Sequence, residues 1–240
     1  MKPFAAALLD FLFPPLCHVC RQFIPTAGRL HICPACRDKM PPVAEPLCTV
    51  CGIPFHGAGS NHVCGACLKD PPFFDAARAA IVHEGPLRNL IHAFKYDSKT
   101  LLRRPLALLI VEHLTDFVAS RRPELIVPVP LHVKRLRNRG FNQAVLLGEL
   151  LSREWRIPLQ RRAMRRIRWT EPQITMAADL RRDNVRGAFV VGDGALVVGK
   201  RVLLVDDVLT TGSTVAECSK VLKKAGAAEV LVVTVSRVVI

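Results

Sequence analysis

Beyond residue 72 the apolar positions fall into two alternating rhythms. Short runs dense in apolar residues, bounded by turn formers, occur at 76–83 (AARAAIVH), 125–129 (LIVPV), 202–205 (VLLV) and 229–235 (EVLVVTV), and each predicts a strand. Between them apolar residues recur three and four apart at 86–95, 101–119, 142–154 and 213–225, as in Val145, Leu146, Glu149 and Leu150. That period predicts helices with one wet face. Strands alternating with helices build an open, mainly parallel α/β sheet covered on both faces, and ligands then sit at the C-terminal ends of its strands.

Residues 1–72 have neither rhythm, apart from an apolar start that predicts a short helix at Phe4–Phe13. They are organised by cysteine. Eight of the nine cysteines form four CxxC pairs, Cys17/Cys20, Cys33/Cys36, Cys48/Cys51 and Cys64/Cys67. The pattern C-x2-C-x12-C-x2-C occurs twice at an offset of 31, and 11 of the 22 positions in 15–36 are identical to those in 46–67. This is a duplicated unit. Two CxxC turns present four soft thiolates, the donor set of a tetrahedral structural zinc. Each unit is too short for its own core, so metal would supply much of its folding free energy. Local sets, Cys17/Cys20/Cys33/Cys36 and Cys48/Cys51/Cys64/Cys67, match the repeat; interleaved sets stay open. His31 and His62 precede a CxxC but are surplus to four thiols. Cys218 sits alone in a helical pattern and reads as a small buried hydrophobe.

Charge changes the picture in one place. The chain carries 34 Lys and Arg against 20 Asp and Glu, a net +14, and residues 121–186 hold 16 basic and 6 acidic side chains. A phosphate-facing surface is expected there, although the run Arg161–Arg168 also suits a solvated face. No apolar run reaches the roughly 18–20 residues that span a bilayer. Asp10 and Pro14-Pro15 break the apolar start, so no export signal is expected. Gly194–Lys200 matches the spacing GxxxxGK, but Arg201 follows where a hydroxyl is needed, and a strand follows where a helix is needed.

The informative segment is 202–214, VLLVDDVLTTGST. A buried strand ends in Asp206 and Asp207, and Thr210, Thr211, Gly212, Ser213 and Thr214 form a loop that opens a helix. Glycine, hydroxyls and helix-terminal amides suit a phosphate, and the carboxylates suit vicinal sugar hydroxyls or magnesium. This segment resembles the 5-phosphoribosyl-1-pyrophosphate (PRPP) signature of type I phosphoribosyltransferases.

With the duplicated CxxC unit in front, the whole chain resembles the ComF family of bacterial competence proteins, of the ComFC type. Phe94-Lys95-Tyr96, 128–132 (PVPLH), 139–143 (RGFNQ) and 182–189 (RDNVRGAF) are further family-like pieces. The resemblance implies a double zinc-ribbon domain at 1–72, with two structural Zn2+, and a type I phosphoribosyltransferase-like parallel sheet at 73–240. It implies that Thr210 to Thr214 hold the 5-phosphate and that Asp206 and Asp207 hold the ribose hydroxyls. Lys134, Arg135, Arg137 and Arg139, in a loop after Val129, would meet pyrophosphate with Mg2+, and 163–182 would be a flap. Lys95 flanks either the site or a turn. The implied setting is cytoplasmic: handling of single-stranded DNA during natural transformation, with a competence helicase among the implied partners. A salvage transferase acting on a free base, and a zinc-dependent nucleic-acid binder without catalysis, are the alternatives.

Overall fold

The computed structural model describes residues 14–25, 28–57, 59–170 and 184–239. The helix expected at Phe4–Phe13 and most of the flap expected at 163–182 lie outside the described residues.

Each CxxC unit is built the same way. In the first, Cys17 N–H donates to the Gln22 carbonyl at 2.8 Å and His18 N–H to His31 at 2.9 Å. In the second, 31 residues later, Cys48 donates to Ile53 at 2.8 Å and Thr49 to His62 at 3.1 Å. Short helices α1 (Pro34–Arg37) and α2 (Gly65–Lys69) carry the closing CxxC of each copy.

The sheet contains β1 (Ala76–Val82), β2 (Leu125–Pro128), β5 (Arg201–Leu209) and β6 (Glu229–Arg237), in the order β1-β6-β5-β2, all parallel. Helices α3 (Gly85–Tyr96), α4 (Arg103–Arg121) and α6 (Gln143–Trp155) cover one face, packed on Leu203, Val205, Leu231 and Val233. Helix α7 (Ser213–Lys224) covers the other, on Val202, Leu204, Val230 and Val232. Continuous apolar strands follow directly from burial on both faces. The strands and helices expected from periodicity are all present, with ends shifted by a few residues.

In the sheet domain, one helix and a strand pair are not legible in the periodicity. The stretch expected as a loop after Val129 is helix α5 (Val133–Arg139), capped by His132 Nδ1, which accepts from Lys134 N–H at 3.2 Å. Strands β3 (Met164–Arg166) and β4 (Phe189–Val191) form a small antiparallel pair beside α7. The GxxxxGK look-alike leads into β5, as the strand pattern requires.

The two ribbons dock differently. Ile24, Ile32 and Met40 of the first share a core with Leu106, Leu109 and Ile110 of α4, and Arg29 and Arg37 pair with Glu154 and Glu112 on the helices. The second lies against the sheet edge: Ala77 N–H donates to the Val50 carbonyl at 2.7 Å and Val43 N–H to Ala80 at 3.0 Å. An otherwise open edge strand is thereby covered.

Gly52 shows how close that approach is. Its φ is +70°, and a Cβ there would lie 2.4 Å from the Ala77 carbonyl oxygen. The matching position in the first ribbon, Arg21, has φ 64° but is exposed. Gly52→Ala is therefore expected to destabilise the protein by about 2–4 kcal/mol, from backbone strain plus overpacking. Arg21→Ala should stay within about 1 kcal/mol, both read by thermal unfolding.

Candidate metal centres and ligand cavity

The four sulfurs of Cys17, Cys20, Cys33 and Cys36 lie within 4.8 Å of one another, and so do those of Cys48, Cys51, Cys64 and Cys67. The local sets are the ones formed; interleaved pairing is not. The Cys20–Cys33 and Cys51–Cys64 sulfurs are 3.7 and 3.8 Å apart. A tetrahedron with Zn–S bonds near 2.3 Å has edges of about 3.8 Å, whereas disulfide sulfurs are about 2.05 Å apart. All of these cysteines are free thiols. Backbone N–H groups of Cys51 and Cys64 point at the Cys48 sulfur at 3.4 and 3.3 Å, and that of Cys33 at the Cys17 sulfur at 3.4 Å. Burial raises the Cys17 and Cys48 thiols, but these donors outweigh it and bring each down to about 6. A thiolate-rich tetrahedron of this size is consistent with structural zinc. His31 and His62 belong to neither set.

A cavity of about 790 Å³ opens at the C-terminal ends of the strands. Of the residues singled out in the sequence, Asp206, Asp207, Thr210, Gly212, Ser213, Thr214, Arg135 and Arg139 line it. Thr211, Lys134 and Arg137 do not. Thr211 turns its hydroxyl to within 2.9 Å of the Ser213 hydroxyl. Arg135 and Arg139 are one helical turn apart on α5 and share a face; Lys134 lies behind Trp169, its ammonium 5.8 Å from that ring.

The adjacent carboxylates are not equivalent. Strand alternation sends Asp206 toward the α7 side and Asp207 toward the α3 side. Lys95, from the last turn of α3, pairs with Asp207 Oδ1 at 2.8 Å, and the Asp207 side chain is only 7% exposed. Asp207 Oδ2 is buried and has no hydrogen-bond partner. Asp206 accepts from the Asp207 N–H at 2.9 Å. Burial and the neighbouring Asp207 charge push the Asp206 carboxyl up to about 7, against the pull of Lys95. A raised carboxyl stabilises the fold while protonated, and that contribution is lost as pH rises toward 7.

Gly212 immediately precedes helix α7, and its φ of +79° provides the turn into it. The first-turn amides of a helix have no intrahelical acceptor and favour an anion. Asn142 fixes the facing wall: its Nδ2 donates to the Val129 carbonyl at 3.0 Å, and its Oδ1 accepts from Ala144 N–H.

Several further residues line the cavity. Lys95, which the sequence leaves between site and turn, lies in the site. Arg166 belongs to a run that suits a solvated face; Met164, Arg165 and Arg166 alternate on β3, which brings Arg166 inward while Arg165 stays exposed. Tyr96 and Trp169 also line the cavity, each beside an α5 arginine: the Arg139 guanidinium is 5.2 Å from the Tyr96 ring and that of Arg135 is 5.3 Å from Trp169. Among the described residues no helix is long and apolar enough to cross a membrane.

A double zinc ribbon domain family model matches residues 8–68, and a phosphoribosyl transferase domain model matches 162–238. Competence protein F of Haemophilus influenzae is 38% identical over 174 residues, which span 69% of this chain and 74% of that protein. DNA utilization protein YhgH of Escherichia coli K12 is 37% identical over 168 residues, 69% and 73% of the two chains. Competence protein ComFC of Streptococcus pneumoniae is 29% identical over 153 residues, 64% of each. Among solved structures, a purine phosphoribosyltransferase from Pyrococcus horikoshii aligns at 19% identity over 55% of this chain and 82% of that one, with a TM-score of 0.33, too low to carry weight. Two four-cysteine clusters ahead of a parallel α/β sheet, and this level of identity along most of both chains, show that the protein belongs to the ComF family of competence proteins.

Proposed function

We propose that the cavity binds PRPP with Mg2+, that two structural zinc ions hold the ribbons, and that the protein handles single-stranded DNA during uptake. One observation carries the reading of the cavity: the acidic pair and the glycine-hydroxyl loop of α7 border the same hollow at the end of β5. The 5-phosphate belongs against Thr210, Gly212, Ser213 and Thr214, where amides, hydroxyls and the helix dipole converge. The ribose hydroxyls belong against Asp206 and Asp207, and the orphaned Asp207 Oδ2 supplies an acceptor.

Arg135 and Arg139 lie on the wall where a pyrophosphate would extend. Mg2+, when bound, would spread the charge of pyrophosphate and ease its departure from C1. The chain's own residues orient the sugar and neutralise the phosphates. Tyr96 and Trp169 beside arginines suit an aromatic base attached to a phosphate chain, which favours a nucleotide or DNA end over a free base.

Calorimetry with PRPP and Mg2+ tests this. Binding is expected to tighten from pH 6 to pH 8 as Asp206 ionises. Asp206→Asn/Asp207→Asn should weaken it by about tenfold or more, since hydrogen bonds to charged groups contribute about 1.5–3 kcal/mol each. Absence of PRPP binding to the parent protein removes the proposal. Pyrophosphate release with a panel of free bases would instead favour the salvage reading.

A further inference from the structure

We infer that Arg237 is the buried counter-charge of the second four-cysteine cluster, and that through it the metal of that cluster is tied to the strand end bordering the cavity. The inference rests on the zinc reading above, not on PRPP.

Arg237 ends β6 and is 7% exposed. Its Nη1 donates to the Cys51 carbonyl at 2.7 Å, and its Nη2 lies 3.7 Å from the Cys51 sulfur. No ion pair joins it to a carboxylate among the described residues; it faces the sulfur cluster of Cys51, Cys48 and Cys64, which bound zinc would hold as thiolates. A guanidinium is buried at tolerable cost only beside compensating charge. A zinc ion bound by four thiolates leaves a net charge of about −2 and supplies it.

Among the described residues the first cluster shows no such device. Cys20 is the counterpart of Cys51, but it is exposed, and its sulfur faces the neutral Gln22 amide at 3.7 Å. The difference follows from docking: only the second copy lies over the sheet, where β6 reaches it.

The other end of the link is in the sheet. Arg237 stands in register between Val82 of β1 and Leu209 of β5. Its carbonyl accepts from His83 N–H at 2.7 Å, and the next N–H, of Val238, donates to Leu209 at 3.0 Å. His83, Leu209 and Val238 all line the cavity. Losing the metal loosens the sulfur cluster against which the guanidinium is packed, at this point of the wall.

The test uses the full chain purified with zinc. Two equivalents per chain are expected, and fewer would remove the zinc reading independently of the rest. A chelating dye then follows release. In Arg237→Gln one of the two equivalents should leave about 10–100-fold faster, the size typical of losing a partner behind a metal ligand. The other should keep its parental rate, and Arg237→Lys should restore most of the retention. In a Cys20→Ser background, which lacks the first site, the remaining equivalent should be the Arg237-sensitive one. Parental rates for both equivalents, equal acceleration of both, or a Lys variant as leaky as Gln would overturn the inference. Hydrogen exchange on the unsubstituted chain gives a second reading. Stripping the second equivalent should expose the amides of His83 and Val238 more than that of Ile126 in β2, and unchanged protection would also overturn it.

Discussion

Cys48→Ser is expected to lose one zinc equivalent and to lower the melting temperature by about 8–16 °C. Cys48 is fully buried, and its sulfur collects the Cys51 and Cys64 amides at 3.4 and 3.3 Å. A serine oxygen is a poorer zinc ligand and sits too short of the metal. The ribbon has little apolar core to fall back on, so most of the metal's binding free energy is folding free energy. Losing even ~4 kcal/mol of it corresponds to that shift for a chain of this size. Cys218→Ser is the contrast. Cys218 is equally buried but belongs to neither cluster. It should keep both zincs and cost only the ~1–3 kcal/mol of burying a hydroxyl. Metal analysis with thermal unfolding reads both; a Cys48→Ser protein with two zincs and the parental melting temperature contradicts the assignment.

The second large effect is at Lys95. Lys95→Met should destabilise the protein by about 2–4 kcal/mol, because it strands a buried carboxylate rather than because the pair itself stabilises much. The lower part of the usual range applies, since the Lys95 side chain is 21% exposed and water offsets part of the loss. Lys95→Met/Asp207→Asn should recover most of the stability. If the double variant is as unstable as the sum of the single changes, the 2.8 Å pair is incidental. Denaturant unfolding of the four proteins completes the cycle.

The parts of this fold that are legible in the sequence are those where burial imposes a period. β5 and β6 are covered on both faces and read as apolar runs; α6 and α7 each bury one stripe. Helix α5 escapes such a reading because its apolar residues, Val133 and Leu136, are both exposed, at 50% and 40%. It is held by a cap and by arginines that line a cavity, neither of which leaves a hydrophobic rhythm. Strands β3 and β4 have three residues each, too few for alternation to register. In the site, the segment 206–214 announces itself because one strand, one loop and one helix start are contiguous in the chain. Lys95 and Tyr96 end α3, Arg166 ends β3 and Trp169 follows it, and only packing brings these distant stretches to the same hollow. The cysteine sets are legible from the repeat, whereas the unequal docking of the copies shows only as differences between them: glycine at 52 where the first copy has arginine, and Ser60 and Leu68 where it has Arg29 and Arg37.

That Ile24, Ile32 and Met40 share their apolar neighbourhood with α4 has a consequence for the chain as a heritable unit. Severing the front part from the rest would leave a greasy scar on both fragments, and each would aggregate before it could serve any host it was grafted onto. A cut at this seam is therefore expected to cost both fragments their solubility.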